Sequence, residues 1–323
     1  MKLFSLFNSI EFGEQIAKEL NIPLSMHEER EFEDGEHKIR SMENVRNEEV
    51  FVIHSLYSDG MQSVNDKLCR LLFFIGALKD ASAKNVTAVV PYLCYARKDR
   101  KTKSRDPITT RYIAQLFEAV GTDRIITMDV HNIQAFQNSF RCSTENLEAK
   151  KIFADYLAPL ISNENVVIVS PDIGGIKRAE QFQQSLQKRM ERNIPLAFME
   201  KYRSQGVVSG SILLGEVKDK TAIIVDDLIS TGTTIARTAT ACKKAGAKKI
   251  FALATHGIFT GNPDEVFGKE MLQQIIITNT IPPFRLNNTK TKEKVTVLNA
   301  ATLFAETIKR INEGGSITAL LND

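Results

Sequence analysis

The feature that most constrains this chain is the stretch Thr221–Ile250, TAIIVDDLISTGTTIARTATACKKAGAKKI. It reads as strand, acidic turn, hydroxyl-rich loop, helix and strand. Ala222 to Val225 is an apolar run of β-formers too short for a helix, so the break at Asp226-Asp227 puts two carboxylates at a strand's carboxyl end. Open parallel sheets bind ligands at that end. Ser230-Thr231-Gly232-Thr233-Thr234 then supplies hydroxyls, a glycine that lets backbone N–H groups approach closely, and the amino end of a helix starting near Ile235. Those parts make a phosphate cradle. A bare phosphate site shuns adjacent carboxylates, so the expected ligand has phosphate at one end and hydroxyls or Mg²⁺ at the other. A sugar phosphate fits; the competing reading is an ordinary strand-to-helix turn capped by Asp and Ser.

Composition narrows the setting. The 323 residues suffice for two ordinary domains, and a net charge of +3 from 42 basic and 39 acidic residues creates no field that argues for nucleic acid or a membrane surface. The longest apolar run, Leu71 to Leu78, is too short to span a bilayer, and Met1 to Phe7 lacks the length of a secretory signal, so a cytoplasmic protein is expected. Cys69, Cys94, Cys142 and Cys242 are scattered without a CxxC pair and read as reduced, mostly buried thiols.

Ala77 to Ala88, ALKDASAKNVTA, lies on Ala241 to Ala252, ACKKAGAKKIFA, without a gap, sharing Ala77/Ala241, Lys79/Lys243, Ala81/Ala245, Ala83/Ala247, Lys84/Lys248 and Ala88/Ala252. Either one α/β domain is repeated in tandem, or two helix-to-strand joints resemble each other in alanine and lysine alone. The repeat places Met61 to Arg70, MQSVNDKLCR, opposite the cradle in Val225 to Thr234, and no DD or TGTT survives there. One half is then expected to keep the sugar-phosphate site and its twin to have lost it.

In the first half, Met1 to Leu6 and Glu49 to His54 read as strands and Glu11 to Leu20 as an amphipathic helix. Between them Asp34-Gly35 marks a hairpin turn, on which Phe32, Asp34 and Glu36 form either a solvated tip or an aromatic platform with acceptors for a purine. Val86 to Tyr92 is a buried-strand candidate followed by the charged run Tyr95 to Arg105, which contains Arg97 and Lys98. Such a run is usually a solvated loop, yet after a strand's carboxyl end it could hold polyphosphate. Ile125 to Met128 delivers Asp129 and His131, the latter a candidate metal or phosphate contact against a plain structural histidine.

In the second half, Asn165 to Ser170 empties into SPDIGGIKRA, where Asp172 is another strand-end carboxylate beside a glycine pair. Mg²⁺ with few protein ligands and phosphate oxygens suits Asp172 and His131, although imidazole is not the usual partner of so hard an ion. Leu196 to Glu200 leads to Lys201 and Arg203 on a glycine-flanked segment, a solvated hairpin or a loop closing over transferring phosphates. Lys294 to Leu298 and Ala300 to Ile311 read as a last strand and helix.

FEDGE, PYLCYARKDRK, MDVHNIQAFQNSF, SPDIGGIKRA, EKYRSQGVVSG and VDDLISTGTT, in that order, resemble the ribose-phosphate pyrophosphokinase family over nearly the whole chain. The resemblance implies two tandem, duplicated phosphoribosyltransferase-like α/β domains, each a mainly parallel sheet flanked by helices, over residues 1–146 and 147–299, with the helix 300–323 joining the first. It implies transfer of the pyrophosphoryl group of Mg²⁺-ATP to the 1-hydroxyl of ribose 5-phosphate. Ser230, Thr231, Gly232, Thr233 and Thr234 would hold the 5-phosphate, and Asp226 and Asp227 the ribose hydroxyls. Phe32 and Arg97 would sandwich adenine with Asp34 and Glu36 at its edge, Lys98 would join the ATP site, and His131 and Asp172 would position the metal. Lys201 and Arg203 would neutralise charge at the reacting phosphorus.

The same likeness implies homodimers, often gathered into hexamers, while the near-balanced charge points to no nucleic-acid or membrane partner. Lys98 stands where the family usually has glutamine, Ser230 where it has aspartate, Tyr202 interrupts a basic triplet, and NIQAFQNSF is an unusual version of its segment. These departures mark a divergent branch and leave allosteric control open. Two other classes stay in play: a non-catalytic regulatory subunit, against which Lys201, Arg203, His131 and Asp172 speak, and a phosphoribosyltransferase, against which the ATP-side motifs speak.

Overall fold

The computed structural model describes residues 1–204, 207–267, 271–287 and 289–322; for 201–204, 207–211, 289 and 322 it describes the backbone alone. The chain divides into two compact units, Met1–Glu148 with Ala300–Asp323, and Ala149–Asn299.

The first unit runs β1 (Lys2–Ser5), α1 (Ile10–Leu20), β2 (His27–Glu31), β3 (His37–Ser41), β4 (Glu49–Ile53), α2 (Val64–Asp80), β5 (Asn85–Val89), α3 (Thr109–Ala119), β6 (Arg124–Met128), α4 (Ile133–Ser139) and β7 (Ser143–Leu147). The second runs α5 (Lys150–Leu160), β8 (Val166–Ser170), a 3-10 turn (Ile173–Gly175), α6 (Ile176–Met190), β9 (Leu196–Ser204), β10 (Val207–Leu214), β11 (Thr221–Ile229), α7 (Thr233–Lys244), β12 (Lys249–Gly257), α8 (Pro263–Phe267), β13 (Gln274–Thr278), α9 (Thr289–Glu293) and β14 (Val295–Leu298). The chain then returns to the first unit as α10 (Ala301–Glu313) and α11 (Ile317–Asn322). Gly314, at φ +73°, ends α10.

The first sheet has the order β1-β4-β5-β6-β7, all parallel. The second, β10-β9-β8-β11-β12-β13-β14, is parallel except where β10 meets β9. Its run β8-β11-β12-β13-β14 repeats the first sheet strand for strand. A hairpin follows the first helix of each repeat: β2–β3 forms a sheet of its own, whereas β9–β10 extends the main one. The gapless match of Ala77–Ala88 to Ala241–Ala252 thus covers the ends of α2 and α7 and the strands after them.

Parallel sheets covered on both faces need strands that are apolar throughout. Val166–Ser170, VVIVS, is buried at every position, and Ile275–Thr278 likewise. In the first unit Phe4 and Phe74 meet edge to face at 5.2 Å across the sheet–α2 contact. Burial of each ring contributes about 2–3 kcal/mol. Phe12 of α1 packs on Phe304 of α10 at 5.5 Å, which ties the returning helix to the first unit.

Two expectations change and an open alternative closes. Asp226 and Asp227 lie inside β11 rather than beyond it, because pairing to β12 continues to Ile229 while pairing to β8 stops at Ile224. The backbone of 201–204 continues β9, pairing Lys201 with Ser211 and Arg203 with Val208, so of the two readings, hairpin or loop, the backbone takes the hairpin. Cys94 and Cys242 are buried, but Cys69 is exposed, since it falls on the outer side of α2. Among the described residues no helix is long and apolar enough to cross a membrane.

Candidate active site

The cradle occupies the turn from β11 into α7. Ser230 Oγ lies 3.1 Å from Thr260 Oγ1, and Thr260 N–H donates to Ser230 O at 2.9 Å, so the loop after β12 braces the first hydroxyl. Thr231 Oγ1 and Thr233 Oγ1 sit 2.9 Å apart on exposed residues, and Thr234 is half-buried. Gly232 has φ +78°, and a Cβ built on it would come within 2.3 Å of Phe267 Cζ. Glycine is required here for both reasons. Among the described residues no side chain caps α7, and its first turn holds no acidic residue. Its leading N–H groups and the positive end of the helix dipole are therefore open to an anion.

Beside the cradle, Arg178 from the first turn of α6 reaches across to β11, with Nη1 3.2 Å from Asp227 Oδ1 and 3.6 Å from Asp226 Oδ1. Burial, and then the Asp227 charge, raise the Asp226 carboxyl well above the usual carboxylate range. Asp227 is buried and Asp226 half-buried, and carboxyl oxygens at a strand end suit sugar hydroxyls or a hard cation. Arg178 was not singled out from the sequence; the one signal was a basic residue in the first helical turn after a strand-end glycine pair.

Asp172 is half-buried and its Oδ1 accepts from Gly175 N–H at 3.0 Å, closing the 3-10 turn. A Cβ at Gly175 would sit 2.9 Å from Ser170 Oγ, so this turn also needs glycine. The side chains of Lys201 and Arg203, expected to act on the phosphates, lie outside the described residues.

The remaining candidates belong to the first unit. Phe32, Asp34 and Glu36 form the exposed tip of the β2–β3 hairpin, closed by Phe32 N–H to Glu36 O at 2.8 Å and Gly35 N–H to Phe32 O at 3.0 Å. Asp34 Oδ1 accepts from Glu36 N–H at 3.1 Å, and the Arg30 guanidinium lies 5.1 Å from the centroid of the Phe32 ring. Arg97 is exposed, while Lys98 is half-buried and ion-paired with Asp106 at 2.6 Å. His131 is exposed after β6; its neighbour Asn132 donates to Asp99 Oδ2 at 2.5 Å and accepts from Ala135 N–H at 3.1 Å to cap α4. Asp99 and Asn132, neither foreseen, lock the charged loop to the His131 turn. His131 and Asp172 fall in different units.

The oxygen donors fit Mg²⁺ better than the imidazole does, since that ion prefers hard oxygen ligands. Among the described residues no three metal-capable side chains gather in one group. Mg²⁺ in phosphoryl-transfer sites usually takes one or two carboxylates and completes its shell with substrate phosphate and water. Asp172, Asp226 and Asp227 are compatible with that use.

Two family profiles match: the N-terminal domain of ribose phosphate pyrophosphokinase over residues 1–121 and the phosphoribosyl synthetase-associated domain over residues 189–322. The ribose-phosphate pyrophosphokinase of Clostridium perfringens is 38% identical over a 326-residue alignment that covers 100% of this chain and 98% of that protein. The enzyme of the same name from Caldanaerobacter subterraneus is 40% identical, with coverages of 99% and 97%. The crystal structure of phosphoribosylpyrophosphate synthetase from Mycobacterium smegmatis superposes with a TM-score of 0.88 at 35% identity, over 97% of this chain and 99% of that one. With relatives this similar over their full length, the chain belongs to the ribose-phosphate pyrophosphokinase family.

Proposed function

We propose that this chain is a ribose-phosphate diphosphokinase: it transfers the β,γ-pyrophosphoryl group of ATP to the 1-hydroxyl of ribose 5-phosphate, giving phosphoribosyl pyrophosphate and AMP. The observation that carries the reading is the amino end of α7, with no side-chain cap among the described residues, beside the Asp226–Asp227 pair. A ligand with phosphate at one end and a polyol at the other matches both halves of that site. Ser230 to Thr234 hold the 5-phosphate, Asp226 and Asp227 the ribose hydroxyls, and Arg178 keeps the carboxylates oriented.

On the ATP side, Phe32 offers its ring face opposite Arg30 to adenine, Arg97 covers the base, and Asp34 and Glu36 read its edge. The cations after Arg97 face the phosphates, with His131 at the turn beside them. Mg²⁺, bound through Asp172 and phosphate oxygens, offsets the charge of the triphosphate. Lys201 and Arg203 neutralise the charge that builds as the ribose oxygen bonds to the β-phosphorus and AMP departs, the usual source of acceleration in phosphoryl transfer. The two units act as paired phosphoribosyltransferase-like domains, and assembly into homodimers or hexamers in the cytoplasm belongs to the same proposal through family likeness.

Phosphorus NMR of the purified protein with Mg²⁺, ATP and ribose 5-phosphate tests this. The expected result is AMP and a new pyrophosphate ester in equal amounts, with Lys201→Ala slowing both by about a thousandfold. ATP left intact while both substrates bind would make the chain a regulatory relative.

A further inference from the structure

The charged loop between β5 and α3 carries the one residue of the expected ATP site that departs from the family pattern, Lys98. Its surroundings differ from those of the other cations on the loop. Arg97, Arg100, Lys101, Lys103 and Arg105 are exposed. Lys98 Nζ is instead 2.6 Å from Asp106 Oδ2 and donates to Thr102 Oγ1 at 3.1 Å. The same carboxylate oxygen accepts from Thr102 N–H at 3.0 Å, Thr102 Oγ1–H at 2.7 Å and Lys103 N–H at 2.9 Å.

Four donors thus converge on Asp106, at the far end of the loop from Lys98. The loop is bracketed by Tyr95 at φ +59° and Arg105 at φ +68°, backbone conformations that a side chain resists without such tethers. Thr110 of α3 donates through Oγ1 to Tyr95 O at 3.1 Å and to Lys98 O at 3.3 Å, which ties the start of the loop to the helix after it.

We propose that Lys98 and Asp106 form a clasp that closes this loop into a fixed frame, making Lys98 a positioning residue for the phosphate-facing cations rather than a ligand of ATP. The proposal rests on the ATP reading given above. An ammonium already paired with a carboxylate and a hydroxyl has little charge to offer a second anion. Closing the loop places Arg97, Arg100, Lys101 and Lys103 on one short arc, so that ordering entropy is spent in folding rather than in binding. The ordinary strength of exposed ion pairs is small; here the pair is joined by two backbone N–H bonds and a hydroxyl on the same carboxylate. Those neighbours, Lys98 first among them, hold the Asp106 carboxyl far below the usual carboxylate range.

Two measurements test the clasp. In the full chain without nucleotide, Lys98→Met and Asp106→Asn should each speed amide hydrogen exchange at Thr102 and Lys103 at least fivefold. In steady-state assays each should raise KM for Mg²⁺-ATP about five- to tenfold, leave kcat and KM for ribose 5-phosphate within twofold, and combine without further loss. Lys98→Arg should restore most of the affinity. If Asp106→Asn lowers KM for ATP while Lys98→Met raises it, the freed ammonium contacts ATP and the clasp is overturned. Unchanged exchange in Lys98→Met overturns it as well. A wild-type chain that binds no ATP contradicts the parent reading alone, since the exchange arm still decides whether the loop is clasped.

Discussion

The two strand-to-helix junctions at β4–α2 and β11–α7 occupy the same place in the repeated sheet and have taken opposite solutions to the same problem. A helix amino end leaves unpaired N–H groups and a partial positive charge. At α2 the chain satisfies them itself: Ser63 Oγ accepts from Asp66 N–H at 3.2 Å while Ser63 N–H donates to Asp66 Oδ2 at 2.8 Å, a full capping box with a carboxylate in the first turn. At α7 the cap is Gly232, and no described side chain supplies the missing acceptor.

The extra turn of α2 also delivers Lys67, which on the gapless alignment falls opposite Thr231, into a fully buried position 2.7 Å from Asp59 and 3.7 Å from the Tyr57 ring centroid. Asp59 is anchored in turn by the N–H groups of Met61 and Gln62 at 2.8 Å each. One junction has internalised its charges and become a structural element. Its twin leaves the leading N–H groups of α7 without a side-chain cap among the described residues, at the place proposed for the 5-phosphate.

That contrast can be broken first at Gly232. Gly232→Val combines a left-handed backbone with a collision against Phe267, so ribose 5-phosphate affinity should fall by a hundredfold or more, about 3 kcal/mol, in a calorimetric titration. Next in size is Lys67→Ala, which strips the buried ion pair and should lower unfolding free energy by about 3 kcal/mol in denaturant melts. Ribose 5-phosphate binding should be unchanged by it; a parallel loss of binding would mean that the first junction still serves the ligand.

A smaller effect concerns His54, which follows β4 and is wholly buried. Desolvation first, and then the nearby Lys67 charge, lower its pKa to about 3, with Glu29 and Asp59 opposing and Arg70 adding to the shift. Its Nε2 has no hydrogen-bond partner among the described residues. The unfolded chain takes up a proton at this residue below pH 6.5 and the folded one does not, so its contribution is present above that pH and is lost as the pH falls toward 3. At pH 5 the difference is about 2 kcal/mol. His54→Gln should flatten the stability profile by that amount between pH 7 and 5. The smallest effect is at Gly60 in the loop before α2, where a Cβ meets nothing within 4 Å; Gly60→Ala should move stability by less than about 0.5 kcal/mol, against the large change at Gly232.

Much of this was legible locally. The short apolar run before Asp226, the glycine in the hydroxyl-rich loop and the Asp34-Gly35 turn are signals that depend on neighbours in sequence, and the start of β11, the turn into α7 and the hairpin lie where those signals put them. The capping box was equally local, as Ser63-Val-Asn-Asp66, but it was read only as the absence of a cradle.

What escaped notice depends on pairing across the fold. Nothing between Asp226 and Ile229 shows that β12 keeps the strand going after β8 has stopped. Arg178 acts on residues nearly fifty positions away, and Asp99 meets Asn132 only because the turns after β5 and β6 adjoin in the sheet. Lys98 stands out in the sequence as an ATP-site departure from the family's glutamine, but its pairing does not, because Asp106, eight residues on, has no pattern to distinguish it from a solvated aspartate.

The measurement that bears most directly on one open cradle and one closed twin is a calorimetric titration of the full chain with ribose 5-phosphate. The account predicts one site per chain, abolished by Gly232→Val and preserved in Lys67→Ala. Two sites per chain, or one that survives Gly232→Val and disappears with Lys67→Ala, would place the phosphate in the wrong half and contradict it.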